Sequence, residues 1–187
     1  MGIMNNRICV LFCCVCIIFA LNANALSQDC GELLFSNAKF KLTRSEQEQI
    51  CNFMASYGIK FSSTKNGFVD DSGDGDIVTL STQSINLSNG GQRGIFIVGG
   101  NTYTSGVTGS SIWAFILNKN GLVQSEFGFP AVEFKLLNSV HLNFHDIQFF
   151  GSGFCAPIWI WNGHNYIFQK SMTMKEAPNN IDCSNPN

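Results

Sequence analysis

From Ile77 to Gln169 the chain alternates short apolar runs with breaks of Gly, Asn and Ser. The runs are Ile77–Leu80, Gly94–Val98, Ile112–Leu117, Leu122–Phe127, Val132–Leu137, Ile147–Phe150, Ile158–Trp161 and Tyr166–Gln169. Each is rich in β-branched and aromatic residues, the composition of strands. They recur at hairpin spacing with no helical period between them, which predicts an antiparallel meander and not a parallel sheet. Two breaks hold Asn120-Gly121 and Asn162-Gly163. Asn-Gly is the preferred pair for a tight hairpin in which both central residues take positive φ.

A different period precedes the strands. Thr43-Arg44-Ser45-Glu46 and Ser45-Glu46-Gln47-Glu48 both carry the capping pattern of a hydroxyl followed three residues later by a glutamate. Ile50, Met54 and Tyr57 follow at i, i+4, i+7, and Gly58 is a natural stop. This predicts a helix over about 43–57. The expected fold is α+β and predominantly antiparallel β: one N-terminal helix, then a β-meander closing as a small sandwich, barrel or propeller-blade-like sheet. From Met174 to Asn187 the chain is polar with two prolines and reads as an irregular tail.

The N-terminus changes where this fold is expected to live. Met1–Arg7 carries one cation and no acid, Ile8–Leu21 is continuously apolar, and Ala23-Asn24-Ala25 supplies small residues at a cleavage site. Residues 1–25 therefore read as a signal peptide, too short in its apolar part to be a membrane span. The remaining 26–187 make one β-rich domain, periplasmic or secreted, with no later membrane span. Loss of Arg7 moves the formal charge from −2 to −3. Charges so sparse and weakly acidic give no footprint for nucleic acid. Four of the eight cysteines leave with the signal. Cys30, Cys51, Cys155 and Cys183 remain, an even number that reads as two disulfides in an exported chain. Of the three pairings, Cys30–Cys51 with Cys155–Cys183 is favoured, because each bond ties a terminal segment to the body.

Candidate chemistry centres on Asp70-Asp71-Ser72-Gly73-Asp74-Gly75-Asp76, which holds four of the thirteen acidic residues. Asp70, Ser72, Asp74 and Asp76 occupy positions 1, 3, 5 and 7 of a calcium loop, with Gly75 at the sixth. Positions 9 and 12 are Val78 and Ser81, where further ligands are expected, so a calcium site and a plain acidic turn both stay open. Trp113, Trp159 and Trp161 form either core or an exposed platform for a glycan or a partner protein, and alternation puts Trp159 and Trp161 on one face. His141 and His145, four apart, and His164 are the ligands a zinc hydrolase would use, but no H-E-x-x-H is present. Gly-x-Ser-x-Gly is absent as well, and no catalytic residue is assigned.

The run from Val69 to Gly75 leading into Ile77-Val78-Thr79-Leu80 resembles the D-x-N-G-D-G-plus-strand element of FG-GAP-type β-propeller repeats. It is similar also to a loose set of uncharacterised exported bacterial β-rich proteins, which share the Trp113-Ala114-Phe115 strand and the Cys155–Tyr166 segment with its Pro157, Trp159, Trp161 and Gly163. Ser72 stands where the element has Asn. The resemblance, over about residues 67–170, implies a calcium-type role for Asp70, Ser72, Asp74 and Asp76 and carries no activity. The function expected from the sequence is an exported non-enzymatic binding or interaction module, calcium being its possible cofactor. The alternatives are an inhibitor or immunity-type protein capping a secreted enzyme, and a secreted metal-dependent hydrolase.

Overall fold

The computed structural model describes residues 30–178 and 181–183. The signal-peptide reading of residues 1–25 lies outside the described residues. The chain is mostly antiparallel β, with a curled, half-barrel sheet and a second sheet. A short helix, α1, covers residues 30–35. Helix α2 (Arg44–Ser56) starts at Thr43, whose hydroxyl accepts the Glu46 N–H while the Glu46 carboxylate accepts the Thr43 N–H. Of the two overlapping capping patterns, the first is used.

The first sheet runs in chain order: β1 (Ile59–Ser62), β2 (Gly67–Asp70), β3 (Ile77–Asn86), β4 (Arg93–Gly100), β5 (Ser111–Leu117) and β6 (Val123–Pro130). A four-residue helix, α3 (Thr102–Ser105), and a 3-10 turn at Gly106–Thr108 join β4 to β5. The second sheet is β7 (Glu133–His141), β8 (Phe144–Phe150), β9 (Cys155–Trp161) and β10 (Tyr166–Thr173), again sequential. Every pairing between strands is antiparallel. All eight strands read from the pattern are present. β1 and β2 were not read, because Lys, Ser and Asp interrupt their apolar positions.

Strand β5 explains the layering. All seven of its residues are buried, since both faces are covered. Trp113, Phe115 and Leu117 pack with Ile95 and Ile97 against Ile50 and Met54 of α2. Ile112, Ala114 and Ile116 face the other way and pack with Phe127, Ile147, Phe149 and Tyr166 between the sheets. The order is helices, first sheet, second sheet. A strand buried on both faces reads as a continuous apolar run, as Ile112–Leu117 does.

The disulfides are Cys30–Cys51, which ties α1 to α2, and Cys155–Cys183, which ties the tail to β9. Both match the favoured pairing. Residues 174–178 and 181–183 form neither helix nor strand. Among the described residues no helix is long and apolar enough to cross a membrane. The disulfides suit an oxidising, extracytoplasmic compartment.

The two Asn-Gly turns differ from expectation. Only Gly121 and Gly163 take positive φ there; Asn120 and Asn162 do not. Asn162 instead accepts the His164 and Asn165 N–H groups with its side-chain oxygen. The hairpin whose two central residues are both left-handed is Leu142-Asn143, at φ +48° and +72°, between β7 and β8.

Candidate functional site at the acidic end

The acidic loop joins β2 to β3, and Asp70 organises it. Its Oδ1 accepts the N–H and hydroxyl of Ser72 and, at 3.1 Å, the N–H of Asp76. Its Oδ2 accepts Asn101 Nδ2 from the loop before α3. Asp70 is only 3% exposed, yet every donor that faces it stabilises the carboxylate. The Ser72 hydroxyl leads these donors, so its pKa lies below the ordinary aspartate value despite burial, which opposes the shift. The sequence singled out Asp70 as a cation ligand and gave no sign of Asn101, which arrives from 31 residues away.

The other ligand candidates are placed differently. Ser72 is turned onto Asp70, and Asp76 contributes its backbone N–H. Asp74 and Asp76 are exposed. Among the described residues, no three His, Cys, Asp or Glu side chains gather as a metal-holding group. The cation that does meet the loop is the chain's own: Lys65 Nζ donates to the carbonyls of Gly75 at 2.6 Å and Asp74 at 3.1 Å. Lys65 carries no sequence signal, because it lies in a separate turn between β1 and β2.

Asp71 lies over the C-terminal end of α2. Gly58 has φ +81°, which favours glycine, and a Cβ there would stand only 2.7 Å from the Asp71 Oδ1, so that carboxylate would have to shift. Tyr103 of α3 hydrogen-bonds the same carboxylate, whose negative charge raises the phenol above its ordinary pKa. Beside these groups Ile77 and Tyr103 stand in water, and Val107, in the turn after α3, is 99% exposed.

Trp113 is core, whereas Trp159 and Trp161 are only partly buried. Trp113 is 1% exposed against α2, so it forms no binding surface. Trp159 and Trp161 share a face as alternation requires, but that face looks inward: Trp159 stacks on Phe129 and Trp161 on Phe144. The histidines keep separate company. His141 Nδ1 is 2.6 Å from the buried Asp146, which also accepts the Ser139 hydroxyl. His145 Nδ1 is 2.9 Å from the Leu137 carbonyl, and His164 lies exposed in the β9–β10 turn. Glu126 of β6 accepts the Tyr166 N–H at 2.9 Å and Gln124 Nε2 at 2.7 Å, joining the two layers. Partial burial pushes its carboxyl above the ordinary glutamate pKa. Desolvation, then the charges of Glu126 and Asp146, push the Tyr166 phenol well up.

Comparison with protein families, with characterised proteins and with solved structures returns no match.

Proposed function

We propose that this chain is an exported, non-enzymatic binding module whose recognition end is the acidic loop with residues 102–109. The observation that supports this most is the pairing of exposed apolar and acidic groups: Ile77 and Tyr103 in solvent beside Asp71, Asp74 and Asp76, with Val107 exposed in the turn that follows α3. Isolated exposed apolar residues are common, but several on one rim mark a contact surface. With Trp113 buried and Trp159 and Trp161 stacked on Phe129 and Phe144, a protein partner at the acidic end is favoured over a glycan. An inhibitor or immunity-type role is one form of this reading. The histidines lend no support to a hydrolase.

In this reading the loop also takes calcium. The ion draws Asp74 and Asp76 inward and displaces the Lys65 ammonium from the loop carbonyls. The test is thermal unfolding of the mature, oxidised protein with calcium or with chelator. Calcium is expected to raise the melting temperature, and Asp74→Ala to remove the rise. No shift in the wild type would sink the calcium role.

A further inference from the structure

The molecule is charged at opposite ends. Asp70, Asp71, Asp74 and Asp76 precede β3, and Lys65 is bonded to their loop. At the far end of β3 and β4, the turn at residues 87–92 meets the β5–β6 turn in a recess of about 300 Å³. Its walls include Ser88, Gly90, Gly91, Arg93, Lys119 and Phe144. Lys119 forms no ion pair among the described residues. Arg93 spends part of its charge on the buried Glu46 and lies within 3.5 Å of the Lys41 carbonyl.

A ten-residue strand such as β3 separates these ends by roughly 30 Å, several times the ~8–10 Å screening length at ordinary salt. The two sets of charges therefore do not compensate each other within one molecule. Helix α2 adds to the separation. Its N-terminal turn lies at the basic end, where Glu46 meets Arg93 and Gln49 meets Gly121. Its C-terminus lies at the acidic end under Asp71, with no basic residue in the last turn. A carboxylate beside a helix C-terminus is electrostatically unfavourable. Lys65 offsets only one of the four carboxylates at the acidic end, which therefore keeps a net negative charge and favours an external cation.

We propose that a second copy of this chain supplies it, head to tail: the acidic loop of one molecule enters the basic recess of the next. Both complementary surfaces are present on this one chain. The loop tip, Ser72-Gly73-Asp74-Gly75, carries small side chains suited to a recess of that size, and Phe144 gives the incoming apolar rim a wall to meet. Such an interface joins unlike surfaces, so it extends into chains or closes into a ring. The inference rests on the recognition end named above and names its partner.

The experiment is sedimentation velocity of the mature, oxidised chain in chelator, over a concentration series. At low salt the wild type is expected to sediment faster as concentration rises, and to return to monomer at about 0.5 M salt, where screening is near complete. D74K/D76K and K119E, each checked for folding by circular dichroism, are expected to be monomeric alone. Mixed, they form a capped one-to-one dimer, because only one acidic loop and one basic recess remain. A wild type that stays monomeric at low salt overturns the proposal, as does a mixture that gives no dimer. Binding of a foreign basic protein by the wild type but not by D74K/D76K, with no self-association, assigns the acidic end to that partner and also overturns it. Calcium stabilisation is measured separately, so the two readings fail independently.

Discussion

Two carboxylates in this molecule respond to their surroundings in opposite directions. Asp70 is ringed by donors that favour its ionised form, and its pKa is lowered. Its contribution to stability is present above the unfolded aspartate value of about 3.9 and disappears as pH falls through the lower folded value. Glu126 loses hydration more than its two donors restore, and its pKa is raised. Its contribution is full below the unfolded glutamate value of about 4.3 and is lost as pH rises through the higher folded value. The expected outcome is a pair of altered pH profiles in urea denaturation. Asp70→Asn flattens the loss of stability on the acid side. Glu126→Gln, relative to wild type, gains stability as pH rises past the carboxylate range. Profiles parallel to wild type would refute both assignments. The loop spacing drew attention to Asp70 as a cation ligand and not as the acceptor for Asn101, and Glu126 draws its character from Tyr166, which the fold brings from 40 residues away.

Among the elements, α2 and the eight later strands were legible because each follows a single period. The helix has its cap, its stripe and its stop within one stretch. The β7–β8 hairpin was less legible. Its turn residues, Leu142 and Asn143, are not a turn-forming pair by propensity, and β7 bulges between Leu136 and Val140. Contacts outside the hairpin hold it in place. Ser88 bridges Phe144, and the Leu87 carbonyl accepts the His145 N–H at 2.8 Å. The His141–Asp146 pair braces it from within. Leu142 is 68% exposed at a φ that a branched side chain adopts only with strain. Leu142→Gly is therefore expected to stabilise the protein by up to ~1 kcal/mol, since left-handed backbone costs an L-residue about 1–2 kcal/mol and glycine gives part of this back in chain entropy. The check is the urea midpoint. A clear loss of stability would mean that the packing of the leucine side chain outweighs the strain.

At the scale of the whole molecule, two cores share one central strand and the disulfides secure the two ends of the described chain. The Cys155–Cys183 bond holds the tail, together with hydrogen bonds such as Met174 N–H to the Phe154 carbonyl and Cys183 N–H to the Thr173 hydroxyl. The double substitution Cys155→Ser/Cys183→Ser is expected to cost about 2–4 kcal/mol in unfolding and to make residues 174–183 protease-sensitive before global unfolding. Cleavage with wild-type kinetics would show that packing alone holds the tail. By itself the sequence determined the helix, the later strands and their antiparallel order, because local periods and chain connectivity set those features; it favoured one of three cysteine pairings, which the structure shows. Only the tertiary structure decided which way the aromatics face. A period of two fixes which side chains share a face and not what covers it, and here both faces of β5 are covered. Tertiary structure likewise brought Asn101 and Lys65 to the acidic loop and separated the charges into two ends. Those arrangements join residues far apart in the chain, and no local pattern encodes them.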